Sequence, residues 1–178
     1  MRRMAEREGP WDLVAASPLA RCRAFAEWLA AQAGIEQWTD SRLTEYDFGD
    51  WDGVDLDALW ARDGTRLAAF LGDPDAMTPP GGETAPAFRA RVAAARAELL
   101  RRGAGRHVLV VGHGGVLRQF VADALGTRTL HAALEWPHAA LSRLHVFDDP
   151  PAPPRAVLVF HARVAGDEST RIAYQQVE

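Results

Sequence analysis

The stretch "VLVVGHGGVLRQF", residues 108–120, constrains the fold more than any other part of the chain. A run of Val and Leu reaches a glycine, then a histidine, then two more glycines, and a helical pattern begins. An apolar run of this kind, bounded by glycine, reads as a central strand of a parallel sheet buried on both faces. In such sheets ligands bind just beyond the carboxyl ends of the strands, which is where His113 stands. Gly114 and Gly115 permit close backbone approach, and the N-terminus of the following helix favours anions through its free N–H groups. The pattern suits a phosphate beside an imidazole. It equally suits a histidine that only closes a strand by bonding a carbonyl.

The rest of the chain alternates strand and helix signals. Residues 11–16 read as a short strand, with Ser17 as N-cap and Pro18 as first residue of a helix that runs to about 32 and stops at Gly34. A short helix is expected over 55–62, a loop over 72–83, and a helix over 85–102 capped by Thr84 and ended by Gly103. Strand 107–111 and helix 115–125 follow, then strands at 141–147 and 156–163 separated by the turn-rich "DDPPAPP". The alternation implies a layered α/β sheet, and 178 residues imply a single domain.

Composition narrows the function. All 20 basic residues are arginine, and with 24 acids the net charge is −4, which argues against a nucleic-acid surface. No apolar run is long enough to span a bilayer. The start, "MRRMAEREGPWD", lacks the apolar segment of a signal peptide, so a cytoplasmic location is expected. Cys22 is the one cysteine, which leaves neither an internal disulfide nor a cysteine-based metal site. No metal and no cofactor are expected.

Three further stretches carry candidate chemistry. In "ASPLARCRAFAEWL" (16–29), Arg21 lies one turn into the helix, where its guanidinium can lean back over the strand end and take a phosphate with two parallel hydrogen bonds. The bland alternative is a solvated arginine on a helix face. In "LTEYDFGDWDG" (43–53), Glu45 precedes a rigid aromatic loop. Half buried against Tyr46, Phe48 and Trp51, its carboxyl would be a candidate proton donor. Asp47, Asp50 and Asp52 stand close by, and spacing alone does not single out Glu45. In "PPGGETAPAFRARV" (79–92), Glu83 and Thr84 begin a helix, and the Pro- and Gly-rich loop before them is a candidate cover for a substrate.

Taken in order, "ASPLARCRAFA", "SRLTEYDFGDWDG", "PPGGET" and "VVGHGGVLR" resemble the histidine phosphatase superfamily, also called phosphoglycerate mutase-like. Within it, "RLTEYDFGDWDG" and the short "GGET" segment look most like the α-ribazole phosphatases of cobalamin synthesis. One departure is Phe25, where the family usually has threonine. The resemblance implies a three-layer α/β/α fold with a mostly parallel central sheet. It also implies phosphomonoester hydrolysis through a phosphohistidine, without a metal. It assigns the family's second histidine to His113, its helix arginine to Arg21 and its proton-donor glutamate to Glu45. The implied ligand is a small phosphate ester, and a homodimer is an open possibility. Two alternatives stay beside this one: a noncatalytic protein that binds phosphate esters, and a sugar-phosphate phosphatase of broad specificity.

The family's defining feature is an N-terminal R-H-G on the first strand, and none of the six histidines stands in that motif. Arg106–His107 begins the strand that His113 ends, so His107 lies roughly 20 Å from His113 at ~3.3 Å per residue. By the resemblance, "MRRMAEREGPWDLVAASP" matches the end of the family's first helix running into its second strand. The expectation is an N-terminally incomplete domain with the R-H-G strand upstream, and the alternative is a genuinely truncated pseudoenzyme. The R-H-G strand is expected inside the sheet, beside 11–16 and 107–111, so that its loss leaves a slot, unless the chain closes it by pairing 11–16 directly with 107–111 or borrows an edge from a partner.

Overall fold

The computed structural model describes residues 1–127, 134–147 and 155–164. The element order is α1 (Arg2–Glu8), β1 (Leu13–Ala16), α2 (Ala20–Ala33), β2 (Glu36–Thr39), α3 (Leu56–Gly72), α4 (Ala85–Arg102), β3 (Val108–Val111), α5 (Gly114–Ala124), β4 (Leu141–Phe147) and β5 (Arg155–Arg163). Two 3-10 turns, Ser41–Leu43 and Gly49–Trp51, lie between β2 and α3. The "DDPPAPP" turn falls outside the described residues.

Strands β2, β1 and β3 form a parallel sheet in that order, and β4 and β5 pair as a separate antiparallel hairpin. β1 is the centre, and all four of its residues are fully buried. The period-two alternation of a strand sends its side chains to opposite layers. Leu13 and Ala15 pack with Leu67, Phe88, Val92, Leu99, Val116 and Phe120 of α3, α4 and α5. Val14 and Ala16, with Leu109 and Val111, face Ala5 of α1 and Cys22, Ala26 and Leu29 of α2. The three layers follow from these two cores.

No slot is left between 11–16 and 107–111, and the sheet takes the closed arrangement that was the alternative to it. β1 and β3 pair directly, from Leu13 opposite Val108 to Ala16 opposite Val111. With β2 on its other side, β1 has both edges filled. Among the described residues, the edge of β3 away from β1 has no strand beside it.

Most helix ends match their local signals. Gly34 takes the left-handed conformation (φ 65°, ψ 34°) that stops α2, and the Thr84 hydroxyl caps α4 by accepting from Ala87 N. Three elements differ. α2 begins at Ala20, with Leu19 (φ −64°, ψ 137°) as N-cap, while the Ser17 hydroxyl meets the His113 imidazole. α3 continues to Gly72, bent at Asp63 (φ −129°, ψ 22°), whose carboxylate accepts from Trp51 Nε1 and Arg62 Nε. β2 was not legible: "EQWT" has a half-exposed, mixed pattern and is a strand because β1 offers it an edge.

Candidate active site

Three parallel strands end on one side of the sheet, and the segments leaving them carry the candidate residues. Ser17 follows β1, and His113 follows β3 and serves as N-cap of α5. The loop after β2 runs through the 3-10 turn Ser41–Leu43, pinned by the fully buried Leu43, to Glu45.

Arg21 and His113, 92 positions apart, are in contact: Arg21 Nε donates to His113 Nδ1 at 3.2 Å. The guanidinium leans back over the strand end as the sequence implied, and the remainder of Arg21 is exposed. Arg23, two residues on, pairs instead with Glu27 on the outer face of α2. Glu45 meets the same place from the other side. Its carboxylate oxygens accept from Gly115 N at 3.1 and 3.2 Å, and Oε1 also accepts from Tyr46 N. The anion at the α5 N-terminus is therefore a side chain of the protein, and Gly115 N–H is already engaged. The Arg118 guanidinium lies next to Gly114, with Nη1 3.1 Å from where a Cβ on that glycine would sit.

The aromatics after Glu45 pack with one another and with the core. Tyr46 packs on Phe48, Phe70 and Phe88, and Trp51 on Phe70. They turn into the core under the loop, and burial pushes the Tyr46 phenol up to about 12. The Pro- and Gly-rich loop is strapped to this segment: Asp50 N donates to Pro80 O and Glu83 N to Asp47 O. Gly49 has φ +55°, and a Cβ there would lie 2.3 Å from Gly82 N and Pro80 O. The loop is a packing partner of the Glu45 segment rather than a free cover.

Sequence reasoning missed two parts of the site. Ser17, fully buried, places its Oγ 2.7 Å from His113 Nε2; its Ser-Pro context reads as a helix cap, which hid this role. Arg91 of α4 donates to Arg42 O, Thr44 O and Glu45 O and pairs through Nε and Nη2 with Glu83. Its three carbonyl partners lie more than 40 positions away, so no local signal marks its hold on the Glu45 segment. Cys22 packs beside the imidazole, its Sγ 3.6 Å from Nε2 and donating to Gly112 O.

The electrostatics favour the neutral imidazole. Burial lowers the His113 pKa, the cations Arg21 and Arg91 lower it further, and Glu45 opposes them. Burial raises the Cys22 thiol, so Cys22 stays protonated. His107 lies at the opposite end of β3, stacked on Trp11 and bonded to Pro10 O. Among the described residues no cluster of His, Cys, Asp and Glu has the makings of a metal site, and no helix is long and apolar enough to cross a membrane.

Residues 2–155 match the model of the histidine phosphatase superfamily (branch 1), and the chain belongs to that family. It is 32% identical over 130 residues to the adenosylcobalamin/alpha-ribazole phosphatase of Salmonella typhimurium, covering 73% of this chain and 63% of that protein. It is 31% identical over 140 residues to a bifunctional protein of Mycobacterium tuberculosis, covering 79% of this chain and 36% of that protein. The chain thus spans about a third of one relative's length and just under two thirds of the other's. A mycobacterial glucosyl-3-phosphoglycerate phosphatase, solved in complex with VO3, superimposes with a TM-score of 0.75 at 25% identity, covering 89% of this chain and 79% of that one.

Proposed function

We propose that this histidine phosphatase family member supplies the phosphoryl-binding and proton-donating side of a phosphomonoesterase site. The observation that carries the reading is the convergence of Arg21, His113 and Glu45 at the carboxyl ends of β1 and β3. An exposed guanidinium and an imidazole suit phosphoryl oxygens, and preorganised donors of this kind stabilise charge that builds in a transition state. A carboxyl on the opposite side suits a leaving oxygen.

In this reading the domain is completed by a strand bearing R-H-G, docked along the open edge of β3. Its histidine attacks phosphorus: the N–P bond forms, the P–O bond to the alcohol breaks, and Glu45 gives its proton to the leaving oxygen. Water then attacks the phosphohistidine, Glu45 takes a proton from that water, and N–P cleavage releases inorganic phosphate. Arg21 and His113 hold the phosphoryl oxygens through both steps.

For the substrate, the "RLTEYDFGDWDG" and "GGET" segments and the likeness to the Salmonella enzyme favour α-ribazole 5′-phosphate. A second reading, a noncatalytic binder of phosphate esters, is favoured by one observation: no histidine of this sequence stands in R-H-G. The test is a panel of α-ribazole 5′-phosphate, sugar phosphates and phosphoglycerates, offered to a longer form that carries an upstream R-H-G. A kcat/KM at least tenfold higher for α-ribazole 5′-phosphate supports the first reading. Equal turnover of sugar phosphates points to broad specificity, and binding without turnover points to the noncatalytic protein.

A further inference from the structure

The hydrogen bonds around His113 fix more than its position. Arg21 Nε carries a hydrogen and can only donate, so the Nδ1 it reaches at 3.2 Å must present a lone pair. The ring proton therefore sits on Nε2, 2.7 Å from Ser17 Oγ. Ser17 Oγ also accepts from Leu19 N at 3.2 Å. Both acceptor positions of the hydroxyl are then filled. Ser17 can hold Nε2–H but does not compete to donate to it, and its hydroxyl hydrogen is left for another acceptor.

We propose that Ser17 is a positioning residue that holds His113 in the Nε2–H tautomer. Nδ1 is then latched to Arg21 while the cleft is empty, and capture of a phosphoryl group is coupled to uptake of one proton at Nδ1. The inference rests on the phosphoryl-binding reading above. A doubly charged anion that draws Arg21 away from the ring leaves Nδ1 without a donor and beside negative charge, where a proton is favoured. That proton makes Nδ1 a donor to the anion, while Nε2–H keeps its bond to Ser17. An empty site thus holds a neutral ring and a latched arginine, and an occupied one holds an imidazolium and a free fork. The charged and titratable groups around the ring agree with a neutral resting state. Arg21 and Cys22 face it from α2, Arg91 acts from α4, Arg118 lies beside Gly114 on α5, and among the described residues Glu45 is the acid that acts on it. Cys22 does not rival Ser17, because its thiol hydrogen goes to Gly112 O.

The experiment uses sulfate, a dianion that does not itself titrate near neutrality, with the 178-residue chain. Imidazole 15N shifts give the His113 tautomer and pKa with and without sulfate, and calorimetry gives the sulfate Kd against pH. The expected result is the Nε2–H tautomer in the free protein, a higher His113 pKa with sulfate, and a Kd that tightens up to about tenfold per pH unit on acidification, the limit for one coupled proton. Ser17→Ala should yield mixed tautomers and weaker pH coupling, and Ser17→Thr should restore both. An Nδ1–H tautomer in the wild type, or sulfate binding with a pH-independent Kd, overturns the Ser17 proposal and leaves the phosphoryl site standing. Sulfate that never perturbs Arg21 or His113 sinks the phosphoryl-binding reading and the coupling with it. The free-protein tautomer and the Ser17→Ala shift still decide the positioning role.

Discussion

The Glu45 carboxylate sits on the N-terminus of the helix that His113 opens, accepting from Gly115 N–H at 3.1 and 3.2 Å across 70 positions of sequence. The carboxylate gains both a hydrogen bond and the positive end of the helix dipole, and the helix gains a partner for one of its free donors. This contact fixes the proposed proton donor relative to the proposed phosphoryl-binding imidazole.

Gly115 is glycine because of that carboxylate. A Cβ at position 115 would lie 2.5 Å from Glu45 Oε1, whereas one at Gly114 would meet the flexible end of Arg118 at 3.1 Å. Gly115→Ala should cost about 1–3 kcal/mol, the usual penalty for overpacking, and Gly114→Ala distinctly less. Denaturant unfolding of the two variants checks the order, and equal costs would mean that Glu45 is free to move away.

Acid should weaken the fold through His113. Its pKa is lowered in the folded chain, first by burial and then by Arg21. Between the folded value and the unfolded value of about 6.5, the unfolded chain binds more protons, so stability rises with pH. The contribution is complete above about pH 6.5 and is lost as pH falls through the folded value. Melting temperatures from pH 8 down to 5 should show this loss, and His113→Gln should flatten that part of the curve.

Arg91 holds the Glu45 segment in place. It reaches three successive-turn carbonyls and the Glu83 carboxylate, with the two side chains 22% and 16% exposed. Arg91→Met removes the cation from Glu83, which keeps only the Asp47 N–H, and frees three backbone carbonyls; it should cost about 1–3 kcal/mol. Arg91→Lys should not rescue it, since one ammonium cannot span the fork. Chemical denaturation measures both.

What was legible in the sequence, and what was not, divides along physical lines. The Val-rich run to His113, the Thr84 cap and the Gly34 stop are local signals, and the structure follows them. Arg21 was legible because its helix starts beside a strand end, and Glu45 because the whole motif order resembles a family. Ser17 and the carbonyl contacts of Arg91 were hidden because they depend on partners 96 and more than 40 positions away. The position of the open edge was misplaced for a related reason: strand order is a property of the assembled sheet. The sequence left direct pairing of β1 with β3 as one of two ways to close a slot, and the assembled sheet takes it.

The open edge has its own consequence. Among the described residues β3 has a strand on one side only, and unpaired strand edges invite pairing between chains. The 178-residue chain should self-associate in a concentration-dependent way on size-exclusion chromatography, and a form extended by an R-H-G strand should elute as a smaller, defined species with a higher melting temperature. A short form that stays monomeric at all concentrations, with a melt equal to that of the longer one, would show that the β3 edge needs no further strand.

The most direct measurement is hydrolysis of p-nitrophenyl phosphate by the 178-residue chain and by the form extended through R-H-G, each with and without Arg21→Ala, Glu45→Gln and His113→Ala. The account predicts background turnover by the short chain. It predicts turnover by the longer one that falls about 10²–10³-fold on removal of Arg21 or His113. Glu45→Gln should slow it less for this substrate, whose leaving group needs little protonation, than for an alkyl phosphate. Robust turnover by the short chain that His113→Ala abolishes would contradict the account, because His113 would then be the nucleophile rather than the group that holds the phosphoryl oxygens.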